Sequence, residues 1–544
     1  MEGESTNGRR ARIGREELSA RLDFYAEHTE GFEATEEHLD ALVAIFHDHR
    51  NVFLTGGAGT GKTSLVRSVI MPELDYRNMQ WSVTATTGIA GSHLDGKTIH
   101  SFFGIGLGPE WLEYYPSKIE EFLPNAPLGE PTMPPQDMSS EDLEGWYNFL
   151  FDKWLTDGSV KAHIRSGVIS RLRAHEVLLI DEISMCAGDA MLGYLDFMLR
   201  QLRDDERPFG GLQLVMIGDF AQLPPVDRRG GASRADWAFM ARCWGHAKVR
   251  PIELTKVFRQ GEPDFIRFLN EIRNGDPVDR EYASRFVRND MTPEETRNYT
   301  FLMPTNKQAK SLNVGALHHY PEPTTPLEAE FVIVPQVQKM KPWEVKGIHR
   351  VESELVKALR LVSKTTFVRL GYPVMFTVND PNGRFVNGTR GFVREVNLIP
   401  RTALDPFDSD FIVVGVPGAE GEEEKLIPLH RWAFSRNRHQ DPYEATAAPP
   451  EVQMQVAMQE VSAYPTIRQF PLIPATAITI HKSQGMSMDS AILALSNSFA
   501  AGQVYVGLSR LRSSAGLVLT DHDFEAKTDP LVMNYYRSIR ESKE

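Results

Sequence analysis

Three clusters in this sequence are of the residue types that handle phosphate and a divalent cation. The first is Gly56-Gly57-Ala58-Gly59-Thr60-Gly61-Lys62-Thr63-Ser64, set between the apolar run Val52–Leu54 and the helical pattern Leu65, Val66, Val69. Strand, glycine loop and helix in that order are the context that gives GxxxxGK[ST] its meaning. Glycines let successive backbone N–H groups turn inward on phosphate oxygens, and the helix N-terminus adds the positive end of its dipole. Lys62 would neutralise the β- and γ-phosphates, and the Thr63 hydroxyl is placed to ligate Mg²⁺. The second cluster is Val177-Leu178-Leu179-Ile180 followed by Asp181-Glu182. It describes a buried parallel strand whose C-terminal edge, where α/β sheets hold ligands, carries two carboxylates. Asp181 would hold the metal through water, and Glu182 would orient and deprotonate an attacking water, which favours hydrolysis over transfer to a small acceptor. The third cluster follows the apolar run Leu212–Ile217, where Gly218-Asp219-Phe220-Ala221-Gln222 offers a neutral amide, Gln222, able to read a γ-phosphate. Taken alone, this last segment reads equally as a strand and a proline-stiffened turn.

A glycine loop of this kind does not name a reaction, because kinases, switches and motors share it. The elements that must position these groups belong to an α/β sheet. A second set of strand-like segments, Ala477–Ile480 before His481 and Val504–Leu508 before Ser509, has polar ends but no glycine loop of its own. A second lobe of that kind has a natural task, which is to close over nucleotide held by the first.

With 544 residues the chain is expected to form three or four domains, and 41% hydrophobic content supplies core material for them. No apolar run approaches the roughly 20 residues that a membrane span needs. The N-terminal stretch lacks a secretory apolar core and reads as a short disordered tail. Cys186 and Cys243 form no CxxC pair, so they are expected to be ordinary thiols in a reducing interior. A net charge of −14 argues mildly against a nucleic-acid partner. Lys339, Lys341, Lys346, Arg350, Lys357, Arg360, Lys364 and Arg369 nonetheless gather between Phe331 and Leu370, as a binding patch or a solvated face.

Several further elements occur in one sequence order: Ala85-Thr86-Thr87-Gly88, Gly96 through Gly106, the run Asp196–Gly211, Leu254-Thr255-Lys256-Val257-Phe258-Arg259-Gln260, Met303-Pro304-Thr305-Asn306-Lys307, Asn387-Gly388-Thr389-Arg390-Gly391, Ile478 through Gly485, and Val504 through Arg510. Together with the three clusters they resemble the Pif1-like DNA helicases of superfamily 1, over roughly residues 34 to 520. The resemblance implies an α/β architecture of two RecA-like lobes with parallel sheets and small inserted subdomains. A tail would span 1–33, lobe 1A 34–105 and 162–250, and a 1B insertion 106–161. Lobe 2A would take 251–325 and 470–535, an SH3-like β-rich insertion 326–469, and a second tail 536–544. It further implies an ATP- and Mg²⁺-dependent enzyme that moves 5′-to-3′ on single-stranded DNA and unwinds duplex or structured DNA. Such an enzyme would act inside the cell as a monomer: in the cytoplasm if prokaryotic or viral, in the nucleus if eukaryotic. Replication or repair proteins are candidate partners.

On this reading the catalytic set is Lys62, Asp181, Glu182, Gln222, Arg259 and Arg510, the two arginines reaching the γ-phosphate across the cleft from the second lobe. Gly485 joins the nucleotide contacts. Thr86, Thr87, His100 and Phe102 would hold the DNA strand on the first lobe, and Thr305, Asn306, Lys307, His481 and Ser483 on the second. Each could instead be a helix cap, a core histidine or a packed ring. The chain departs from the family in two places. The stretch Ala34–Leu39 lacks the glutamine that reads adenine in many relatives, leaving Glu37 or His38 as substitutes. The 106–161 segment is long and rich in proline and aromatics, fit for a strand-separating wedge, a docking element or a surface excursion. A RecD-like translocase without efficient unwinding is the nearest alternative. A phosphotransferase leaves Gln222, Arg259, His481 through Gly485 and Leu508-Ser509-Arg510 unexplained, and an ATP-binding switch has no need for both Glu182 and Arg510.

Overall fold

A computed structural model describes residues 13–86, 94, 97–103, 166–225, 236–332, 364–378, 380, 384–385, 389–398, 410–418, 423–435 and 466–542. The expected insertion 106–161 and most of the basic stretch 331–370 lie outside them. The chain divides into two compact units, one running to Gly261 and resuming at Thr528, the other spanning Glu262–Lys527.

The first unit is built on six strands: β1 (Val52–Gly56), β2 (Trp81–Ala85), β3 (Lys97–Thr98), β4 (Val177–Asp181), β5 (Gln213–Ile217) and β6 (Arg250–Leu254). All pair in parallel, in the order β3-β2-β4-β5-β1-β6. Alternate residues of β1, β4 and β5 serve two separate cores. Phe53, Leu178, Ile180, Leu214 and Met216 face one, and Val52, Leu54, Val177, Leu179, Val215 and Ile217 face the other. This double burial is why the strands read as unbroken apolar runs rather than alternating ones.

Three expectations are corrected here. Pro251–Leu254, expected at the start of lobe 2A, instead belongs to β6 and pairs with β1 in the register Gly56↔Leu254. The N-terminal region contains the helix Arg15–His28, which buries Leu18, Leu22 and Tyr25 against the second core and sets Arg21 and Tyr25 on the buried carboxylate of Glu73. The helix Pro530–Glu541, assigned in part to lobe 2 and in part to a tail, places Val532, Tyr536 and Ile539 in the first unit's core. Cys186 and Cys243 are both buried free thiols, and burial pushes the Cys186 thiol up to about 12.

The run Asp196–Gly211 acts as a clasp. The Asp196 carboxylate accepts from the backbone of Phe209 and pairs with Arg200 at 2.8 Å. Phe209 and Gly210 both have positive φ, and a side chain at Gly210 would meet the Leu199 carbonyl at 2.4 Å.

The second unit also has a parallel sheet, Ala477–Thr479, Thr300–Met303, Ala491–Leu493 and Leu517–Leu519 in that order. Val504–Leu508, expected as a strand, belongs to the helix Gln503–Leu508. The chain between these parts is β-rich and antiparallel. Its five-stranded sheet runs Lys425–Leu429, Phe411–Val416, Arg390–Asn397, Pro373–Phe376 and Leu472–Pro474 around a core that includes Tyr372, Phe376 and Ile412.

Candidate functional site

The glycine loop joins β1 to the helical run Lys62–Tyr76, whose middle turn Val66–Ile70 is π-helical. Gly56, Gly59 and Gly61 have φ of +143°, +79° and +80°. A Cβ at Gly56 would come within 2.4 Å of the Leu254 carbonyl oxygen, and one at Gly59 within 2.6 Å of Arg259 Cβ. The cradle therefore exists only with bare backbone, which suits the phosphates of a nucleotide. Lys62 Nζ donates to the carbonyls of Gly56 at 2.8 Å and Gly57 at 2.9 Å, which keeps the ammonium on the loop. Thr63 and Ser64 are exposed in the first helical turn.

Asp181 closes β4 and is buried. Burial, reinforced by the neighbouring Glu182 charge, raises its carboxyl well above the ordinary carboxylate range, while the Glu182 N–H and the Lys62 ammonium pull the other way. A divalent cation beside Asp181 would keep it ionised, so this donor fits Mg²⁺. Glu182 stands next to it with φ 52° and ψ 45°. A non-glycine residue held in the left-handed region is a sign of a constrained functional position. Thr86 bridges to both: its N–H donates to the Asp181 carbonyl at 3.4 Å and its hydroxyl to the Glu182 carbonyl at 3.0 Å. Beyond β5, the Gln222 N–H donates to the Asp219 carbonyl at 3.0 Å, and Asp219 and Gln222 are buried.

Arg259 needs a different account from the one expected. The N–H groups of Phe258 and Arg259 donate to the Gly59 carbonyl at 2.8 and 3.3 Å, so Arg259 lies beside the loop within the same unit. The cause is the β1–β6 register, which brings the residues after Leu254 alongside those after Gly56. On the stretch before β1, His38 is buried, stacks on Phe32 at 5.3 Å and accepts from the Thr35 N–H in a capping box. That leaves Glu37, which accepts from the Thr255 hydroxyl at 2.7 Å.

In the second unit Arg510 follows the helix Gln503–Leu508. Its guanidinium is buried and donates to the carbonyls of Val506 at 2.8 Å and Met486 at 3.4 Å. Met486 follows Gly485, which has φ +79°, so the last two sequence elements meet in space. Among the DNA candidates, Thr305 caps the helix Asn306–Leu317, accepting from the Gln308 N–H, and Asn306 and Lys307 are exposed at that N-terminus. His481 is half-buried, and burial lowers its pKa, so near pH 7 it is a neutral ring. It stacks at 6.3 Å on Phe499, which is 60% exposed.

Two candidates do other work. Phe102 is buried under the Arg171 guanidinium, packed against Phe103 and His175. Ser483 is fully buried and donates to the Ile480 carbonyl at 2.8 Å, closing its own turn. Thr87 and the His100 side chain lie outside the described residues.

Phe499 was missed in the sequence. Its signal is a lone bulky ring in the polar, small-residue run Ser496–Gln503. Gln503 holds it in place: its Oε1 accepts from the Phe499 N–H at 2.9 Å, and its Nε2 donates to the Pro304 carbonyl at 3.0 Å.

The family model for PIF1-like helicases matches residues 34–121 and 157–282. The ATP-dependent DNA helicase Pif1 of Bdellovibrio bacteriovorus is 29% identical over 498 residues, 91% of this chain and 90% of that protein. The enzyme of the same name from Psychrobacter sp. is 31% identical over 515 residues, 90% of this chain and 68% of that protein. Among solved structures, the crystal structure of Pif1 helicase from Candida albicans aligns with a TM-score of 0.66 at 26% identity, covering 93% of this chain and all of that one. Bacteroides sp Pif1 in complex with ADP-AlF4 aligns at 0.61 and 25% identity, covering 94% and 98%.

Proposed function

This chain belongs to the PIF1-like helicase family, and from that premise we propose that it is an ATP-dependent DNA helicase that tracks along single-stranded DNA and unwinds duplex ahead of it. The observation that carries this reading is the gathering, at one edge of one parallel sheet, of Lys62, the Asp181-Glu182 pair and the Gln222 loop. In the proposed cycle the glycine loop and Lys62 bind the phosphates, Lys62 exchanging the carbonyls of Gly56 and Gly57 for phosphate oxygens. Thr63 and Asp181 would hold Mg²⁺, which supplies charge neutralisation to the β- and γ-phosphates. Glu182 takes the proton of the attacking water. Gln222 senses the γ-phosphate, and Arg259, on the same unit as the loop, stabilises charge developing on it. Arg510, carried by the unit without a glycine loop, is proposed to complete that stabilisation in the ATP state and so couple hydrolysis to movement.

The DNA strand is proposed to run over Thr86 on one unit and Thr305, Asn306, Lys307 and His481 on the other. Hydroxyl, amide and ammonium donors to phosphate grip any sequence, as a moving enzyme requires. Movement 5′-to-3′, a monomeric state and an SH3-like identity for the antiparallel insertion are parts of the same proposal, drawn from the family resemblance. Among the described residues no helix is long and apolar enough to cross a membrane.

Steady-state ATP hydrolysis by the purified chain, with and without single-stranded DNA, tests the reading. Slow turnover that rises strongly with DNA is expected. Turnover indifferent to DNA would favour a phosphotransferase or a nucleotide switch.

A further inference from the structure

We propose that Tyr536 is a positioning residue for the ATPase step, its hydroxyl joining the strand that feeds the glycine loop to the loop that carries Gln222. The hydroxyl donates to Asp219 Oδ1 at 2.8 Å. It accepts from the Phe220 N–H at 2.9 Å and lies 2.8 Å from Thr55 Oγ1. A phenol has one proton and two lone pairs. With its proton committed to the Asp219 carboxylate, Thr55 must be the donor, and all three valences of the oxygen are filled. Thr55, Asp219 and Tyr536 are all buried, where each such bond fixes geometry because its loss leaves a buried polar group unpaired.

The consequence reaches Gln222 through Asp219. That carboxylate also accepts from the Ala221 N–H at 3.1 Å, while the Asp219 carbonyl accepts from the Gln222 N–H. The Tyr536 hydroxyl thus sets the turn on which the sensor amide is mounted, against Thr55, the residue next to Gly56 of the loop. Its neighbour Tyr535 contacts the same core by its ring, stacked on Phe239 at 4.3 Å.

The helix carrying Tyr536 is anchored independently of the hydroxyl. Asp529, at its start, accepts from the Trp237 indole at 2.8 Å. Arg540, one turn later than Tyr536, makes a two-point contact with Glu253 of β6 at 2.9 and 3.1 Å. One helix therefore touches the ends of β1 and β6 and the loop after β5, three adjacent strands of the sheet. The chain enters this helix directly from the other unit, at Thr528.

This inference rests on the sensor role of Gln222, so Gln222→Ala is measured in parallel. Tyr536→Phe keeps the ring and the anchors and removes only the hydroxyl. With single-stranded DNA present, it is expected to lower kcat for ATP about tenfold, the equivalent of about 1.4 kcal/mol, with KM within about twofold of the parent. ATP consumed per base pair unwound should rise. Rates are counted per active site by titration with a tight-binding nucleotide analogue, which removes any loss due to misfolding. Thr55→Val, isosteric and suited to a strand, should move kcat in the same direction by less. The double variant should match Tyr536→Phe alone. Unchanged kcat and coupling in Tyr536→Phe while Gln222→Ala is impaired would overturn this inference alone, and an unimpaired Gln222→Ala would overturn the sensor reading beneath it. Should Tyr536→Phe fail to fold, Thr55→Val decides: a lowered kcat at constant KM supports the proposal, and parent kinetics overturn it.

Discussion

In the first unit the strand Val52–Gly56 runs into a loop of positive-φ glycines ending in Lys62, whereas in the second the strand Ala477–Thr479 runs into a turn that Ser483 closes upon itself. Each pairs in parallel with its neighbours, Val52–Gly56 between two strands and Ala477–Thr479 at the end of its sheet, and each is followed by its loop at its C-terminal end. The difference lies in what the loop leaves available. Bare glycine backbone offers inward N–H groups for phosphate. The serine turn satisfies its own groups and offers a neutral His481 ring beside the exposed Phe499 instead. On the proposed reading, the first loop takes the nucleotide and the second takes the bases and phosphates of a DNA strand.

Substitutions can break that comparison. The largest effect is expected from Lys62→Ala, which should cut DNA-stimulated turnover about 10³-fold while leaving single-stranded DNA affinity within a few-fold, by steady-state kinetics and fluorescence anisotropy. A comparable loss of DNA affinity would mean that the two loops are not specialised. Glu182→Gln should lower kcat about 10²-fold with ATP affinity retained, as measured with a fluorescent ATP analogue. Weakened nucleotide binding in that variant would make Glu182 a ligand rather than a base. Phe499→Ala carries the smallest effect and sharpens the comparison from the other side. It should raise the Kd for single-stranded DNA roughly tenfold, one base stack of about 1–3 kcal/mol, with DNA-independent ATP hydrolysis unchanged.

The sequence made the loop, the two carboxylates and the buried strands around them readable, because each depends on residues close together in the chain and on a double-faced apolar pattern. What it concealed depends on distant pairing. Nothing local in Arg250–Leu254 says which sheet it joins, so the sequence does not reveal that Arg259 lies beside the glycine loop in the same unit. Val504-Tyr505-Val506 has strand-forming side chains, but all six residues of its helix are buried, and an apolar run without alternation does not distinguish the two states. Phe102 looked like a stacking platform from its place beside a motif, and only packing reveals that Arg171 covers it. Tyr536 stands 481 residues from Thr55, beyond any recognised motif. The helix Arg15–His28 was hidden by its charge, although Leu18, Leu22 and Tyr25 have helical spacing.

Arg510, carried by the unit without a glycine loop, is where the proposed cycle can be tested most directly. Arg510→Ala, with Arg510→Lys beside it to preserve the charge, is compared with the parent for nucleotide affinity, DNA affinity and DNA-stimulated hydrolysis. The account predicts that both ligands still bind within a few-fold, while hydrolysis falls about 10³-fold and unwinding is lost, with lysine restoring little because it lacks the planar fork. Parent-like hydrolysis and unwinding in a folded Arg510→Ala enzyme would contradict it.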